Sequence, residues 1–119
     1  MTDREILEFA AKAYWADEID DVVSIKWIDS DGCIEFTHGD NQDHNGRDVG
    51  VLWNPLTDDG DALRLAVKLE LEVSLGQFGT IIYSGCGKVE EIGEDGCDEM
   101  ALCRRAITRA AAEIGKEMK

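Results

Sequence analysis

One proline, Pro55, stands inside the segment Trp53–Leu69 (Trp-Asn-Pro-Leu-Thr-Asp-Asp-Gly-Asp-Ala-Leu-Arg-Leu-Ala-Val-Lys-Leu) and constrains the fold more than any other residue. Its ring fixes φ and drives Asn54 out of the helical region, so a strand ending at Trp53 must turn there. Thr57 or Asp58 can cap a following helix, and Asp58, Asp59 and Asp61 crowd the positive end of its dipole. Leu63, Ala66, Val67 and Leu69 follow at helical spacing and predict one apolar stripe about three turns long. The helix must therefore pack on something. The three aspartates together are also a candidate metal or partner site, although capping and solubility account for them more simply.

The flanking chain supplies what that helix packs on. Thr2 and Glu5 form a capping box, and Ile6, Leu7, Ala10, Ala13 and Tyr14 predict a helix over 3–15. Val22–Ile28 and Cys33–Thr37 are strand-forming runs separated by Asp29-Ser30-Asp31-Gly32, a hairpin turn, and Val49–Trp53 reads as a third strand. After the second helix, Leu71–Leu75, Thr80–Ser84 and Lys88–Ile92 are further strands with glycine-bearing connections. Asp98 and Glu99 open a last helix to Met118. Its apolar face is Met100, Cys103, Ile107, Ala110, Ala111, Ile114 and Met118, and its other face shows Arg104, Arg105 and Arg109. The order α-β-β-(β)-α-β-β-(β)-α, with hairpin-length connections, predicts a single α+β domain over residues 1–119. An antiparallel sheet of 4–6 strands with three helices is the expected architecture. A chain of 119 residues can bury roughly 65% of its unfolded surface, enough for one core.

Residues 38–48 (His-Gly-Asp-Asn-Gln-Asp-His-Asn-Gly-Arg-Asp) hold no apolar side chain and predict a long polar loop, functional or mobile. Asn41–Gly46 imitates the opening of an EF-hand loop, but Leu52 stands where a bidentate Glu is needed and a strand follows instead of a helix. His38 and His44, with Asp40, Asp43 and Asp48, could offer mixed nitrogen and oxygen ligands, against an ordering cost that favours two solvated histidines. Cys33, Cys86, Cys97 and Cys103 lack the close pairing of a zinc site. Gly85-Cys86-Gly87 puts a thiol at a bend, yet no nucleophile elbow, phosphate loop or dinucleotide fingerprint is present. The chain is expected to be no enzyme and to carry no metal and no cofactor.

Two segments, Trp53–Leu69 and Arg104–Gly115 (Arg-Arg-Ala-Ile-Thr-Arg-Ala-Ala-Ala-Glu-Ile-Gly), resemble a group of small uncharacterised proteins of tailed phages and prophages. That likeness implies a phage origin and a phage ABA-sandwich domain, with both motifs on helices flanking a sheet. It implies no activity and no site residue.

Charge sets the functional expectation. The chain has 26 acidic and 12 basic residues, net −14, and residues 1–61 hold 16 Asp or Glu against 4 Lys or Arg while residues 62–119 hold 10 against 8. Acidity concentrated in one half repels nucleic acid and membrane surfaces and attracts basic proteins. With the phage likeness, this predicts an acidic inhibitor that occupies the basic nucleic-acid-binding surface of a host defence nucleoprotein, anti-CRISPR-like or a DNA mimic, in the bacterial cytoplasm. The candidate partner-binding residues are Asp17, Glu18, Asp20, Asp21, Asp29, Asp31, Asp40, Asp43, Asp48, Asp58, Asp59 and Asp61. The alternatives are a homodimeric accessory module, associating near Trp53 or through Ile81-Ile82-Tyr83, and a small-ligand protein with a pocket of Trp15, Trp27 and Trp53. No apolar run predicts export or a membrane span.

Overall fold

A computed structural model describes residues 2–16, 22–42, 45, 48–76, 79–84, 87–92 and 98–118, with 22–25, 37–42, 48–51 and 76 given by their backbone alone. The order is α1 (Asp3–Tyr14), β1 (Val22–Ile28), β2 (Cys33–Gln42), β3 (Asp48–Trp53), α2 (Asp59–Lys68), β4 (Glu72–Gly76), β5 (Gly79–Ser84), β6 (Gly87–Ile92) and α3 (Glu99–Glu117). This is the expected α+β class. The six strands divide into two antiparallel sheets, β1-β2-β3 and β4-β5-β6, each in chain order. Short connections pair each strand with its sequence neighbour, and α2 separates one set of three from the other.

Local signals explain the boundaries. Thr2 and Glu5 make both halves of the capping box on α1. Gly32 takes φ +62°, a left-handed conformation that glycine adopts without strain, and donates its N–H to the Ile28 carbonyl at 2.9 Å to close the first hairpin. The polar run after Thr37 departs from expectation: β2 continues to Gln42, which pairs with Asp48 across an irregularity in the register. Ladder hydrogen bonds come from the backbone, so a strand of polar residues leaves no hydrophobic alternation to read.

The buried faces of the last two helices differ from their predicted stripes. Ala62, Leu65 and Ala66 are the buried face of α2, whereas Leu63 and Val67 are 65% and 69% exposed. In α3, Ala106, Thr108, Ala112 and Gly115 join Ile107, Ala110 and Ala111 inside, because this helix touches α1, α2, β5 and β6. Met100 is exposed. The first and last helices run in the same direction: Arg105 donates to Asp3 at 3.1 Å, Gly115 lies against the Phe9 backbone, and Lys12 Nζ donates to the Met118 carbonyl at 2.9 Å.

Since α1 lies on β1 and β2 while α3 lies on β5 and β6, this helix pair joins the two sheets into one core. Leu7, Ile34, Leu65 and Ile82 are fully buried there, each stabilising the fold by about 2 kcal/mol. Trp15 stacks obliquely on Trp53 at 4.9 Å and on Phe36 at 4.6 Å, and Tyr14 meets Trp15 edge-on at 4.9 Å. Trp53 and Ile82 therefore belong to the interior, while Tyr83 of the same strand as Ile82 is exposed.

Candidate functional site

The proline turn gathers carboxylates from separate parts of the chain. Asn54 cannot be helical before Pro55, so its groups are available for other partners. Its side-chain amide donates to the Gly32 carbonyl at 3.4 Å, its N–H donates to Asp61 Oδ2 at 2.9 Å, and its carbonyl accepts from Asp58 N–H at 2.9 Å. Asn54 thus ties the Asp29–Gly32 turn to the start of α2. Asp29, Asp31, Asp58 and Asp59 are exposed around it.

The start of α3 joins the same end. Arg104 donates through Nε to the Leu56 carbonyl at 3.0 Å and through Nη1 to Asp59 Oδ1 at 2.6 Å, and its Nη2 lies 4.0 Å from Asp98 Oδ2. Asp98 caps α3 by accepting from the N–H groups of Met100 and Ala101 at 3.0 and 3.2 Å. Asp98 therefore extends the acidic end, although it was not a sequence candidate; its helix-start position was the available signal. Arg104, on the face of α3 opposite the predicted apolar stripe, is mostly covered by these contacts.

Some of these carboxylates serve the fold first. Asp58 accepts from Asp61 N–H at 2.7 Å as the cap of α2. Asp61 is mostly covered, its side chain 14% exposed, and holds both Asn54 N–H and Arg64 Nη2, the latter at 2.7 Å. The hydrogen bond to Asp61 is the main cause that raises the Arg64 guanidinium above its ordinary range. Asp29 accepts from Trp27 Nε1 at 2.6 Å and stays exposed. Asp31, Asp58 and Asp59 are the other exposed sequence candidates here.

The backbone places two further candidates away from this end. Asp40 and Asp48 lie on β2 and β3, and the Gln42–Asp48 pair is at the opposite end of the hairpin from Cys33, about 30 Å away along nine residues of strand. Asp17, Glu18, Asp20, Asp21 and Asp43 lie outside the described residues, as do His44 and Gly46 of the EF-hand-like segment. Among the described residues no three His, Cys, Asp or Glu converge as metal ligands.

The three tryptophans do not share a pocket. Trp15 and Trp53 fill the core, and Trp27 instead lines an open cleft of about 280 Å³ with Arg4, Glu8, Lys26 and Ile34. Arg4 covers the Trp27 ring at 5.5 Å while pairing with Glu8 at 2.6 Å, and Lys26 pairs with Glu35 at 3.4 Å.

Burial pushes the thiols of Cys33 and Cys103 above their ordinary range, so both stay protonated at neutral pH. Alkylation of the native protein at pH 7.5, read by peptide mass spectrometry, is expected to be about tenfold or more slower at these two positions than in urea. A raised thiol pKa favours the fold fully below the ordinary value of 9.0, and that contribution disappears as pH climbs through the higher folded-state value. Equal native and unfolded alkylation rates would contradict this assignment.

No family model matches the chain, and neither a curated protein nor a solved structure does. Among the described residues, no helix is long and apolar enough to cross a membrane.

Proposed function

We propose that the protein is a non-enzymatic binding protein whose acidic end occupies a basic surface of another protein, one that would otherwise hold nucleic-acid phosphates. The observation that supports this reading is the Asn54 junction, which brings the Asp29–Gly32 turn beside the acidic start of α2, while Arg104 brings in the start of α3. Spaced carboxylates on a chain of net −14 offer a basic partner fast, salt-sensitive association. In the phage setting implied by the two resembling segments, that partner is a host defence nucleoprotein and the protein its anti-CRISPR-like inhibitor or DNA mimic.

The test combines salt with charge reversal. Bacterial nucleic-acid-binding proteins enriched on heparin are passed over the immobilised protein, and the bound fraction is challenged with duplex DNA. Retention is expected at roughly 0.1 M salt and loss by roughly 0.5 M, because screening shortens the reach of surface charge. Asp29→Lys, Asp31→Lys and Asp58→Lys combined should abolish retention, and DNA should compete. Binding indifferent to salt, DNA and charge reversal would sink the reading.

A further inference from the structure

The outer face of the β4-β5-β6 sheet has one charge arrangement that a second copy of the chain complements. The register sets Glu72, Tyr83 and Lys88 in one row across the three strands, Ser74, Ile81 and Glu90 in the next, and Gly76, Gly79 and Ile92 in the third. Residues directly opposite one another share a face, and alternate residues of β5 point the other way. Thr80 and Ile82 point inward, so Ile81 and Tyr83 point out. Tyr83 is 43% exposed and Ile92 71% exposed. Glu72, Glu90 and Lys88 leave this face nearly neutral on a chain of net −14.

We infer that this face is an isologous homodimer interface, with the two-fold axis parallel to β5. That rotation lays β4 of one copy over β6 of the other. Glu72 then faces the Lys88 position of the second copy, Glu90 faces a serine position, Ile92 faces a glycine position, and Tyr83 and Ile81 each meet themselves. The other face-to-face symmetry, with its axis across the strands, would set Glu90 against Glu90 and Lys88 against Ile92. Charge complementarity therefore selects the first. In the monomer Lys88 lies 3.8 Å from Glu90, so it turns to a new partner on association. Three strands spaced about 4.8 Å apart and five to six residues long offer a footprint of roughly 300 Å², which places the dimer among weak associations.

Salt separates this interface from the acidic end. Two copies of net −14 repel each other over distances longer than any contact, so screening strengthens the dimer, the reverse of what it does to binding a basic partner. Sedimentation equilibrium from 0.05 to 1 mM, at 50 and 500 mM salt, is expected to show a dimer fraction that rises with salt. Lys88→Glu and Glu72→Lys should each weaken the dimer by about tenfold or more, since the two-fold axis repeats every contact. Glu72→Lys with Lys88→Glu should restore it. Both residues are exposed, so the variants keep the fold. A monomer at 1 mM in 500 mM salt, a dimer indifferent to Lys88→Glu, or no rescue by the double exchange would each overturn the inference. None of these outcomes touches the carboxylates of the acidic end.

Discussion

Replacing Gly115 with alanine is expected to lower the stability of the protein by about 2–3 kcal/mol, although alanine is the better helix former by about 1 kcal/mol. A Cβ on Gly115 would meet the Phe9 carbonyl carbon at 2.7 Å and its oxygen closer still. The obstacle is the backbone of α1, which has no rotamer to move into, so the two helices would have to part and open the cluster that includes Leu7, Ala10, Ala110 and Ala111. At this chain length the cost corresponds to a melting temperature about 10 °C lower. Gly60 is the control, since a Cβ there would meet only the ends of Arg64 and Asp58, at 3.2 Å or more. Gly60→Ala should be neutral or stabilising by up to about 1 kcal/mol. Urea midpoints that move equally for the two variants would show that the close approach of α1 and α3 is wrong.

Asp61→Ala is the second large effect, expected at about 2 kcal/mol. It removes a mostly covered carboxylate and leaves the partly buried Asn54 N–H without its acceptor, as well as releasing Arg64. Asp58→Ala should lose about 1 kcal/mol as a helix cap, and Asp31→Ala should stay within about 0.5 kcal/mol because its side chain is exposed. That graded series in urea distinguishes carboxylates that build the acidic end from those that face outward. If Asp61→Ala behaves like Asp31→Ala, the Asn54 junction does not organise this end. Partner binding adds a second readout. Asp31 can be reversed with little effect on folding, whereas loss of Asp61 acts on binding through the shape of the turn.

Much of the fold was legible because its punctuation is local. Pro55 with Asp58, Thr2 with Glu5, and Gly32 each act within a few residues, so helix starts and the first hairpin follow from the chain itself. Choosing between competing faces needs the partner surface. In α2, both Leu63–Val67 and Ala62–Leu65–Ala66 are spaced for a helical stripe, and the close neighbours of α2 admit the second set. Periodicity also overlooked Ala106, Thr108, Ala112 and Gly115, since contacts from several directions leave α3 little polar face. The division of six strands into two sheets carries no sequence mark, because the hairpin signals that pair neighbours are silent about how one set meets the other. The acidic end was half legible. Composition located an excess of negative charge, but only the Asn54 and Arg104 contacts separate Asp29, Asp31, Asp58 and Asp59 from Asp40 and Asp48, and add Asp98.

The pairing of the first helix with the last also bears on how the chain is made. Each sheet closes through neighbours in sequence and can form as soon as its own hairpins are complete, but Leu7 and Ala10 acquire their cover only once α3, which follows both sheets in the chain, has been synthesised. A nascent chain halted before Glu99 would hold an apolar helix with one side bare. Emergence of α3 is the event that lets this helix bury its apolar side.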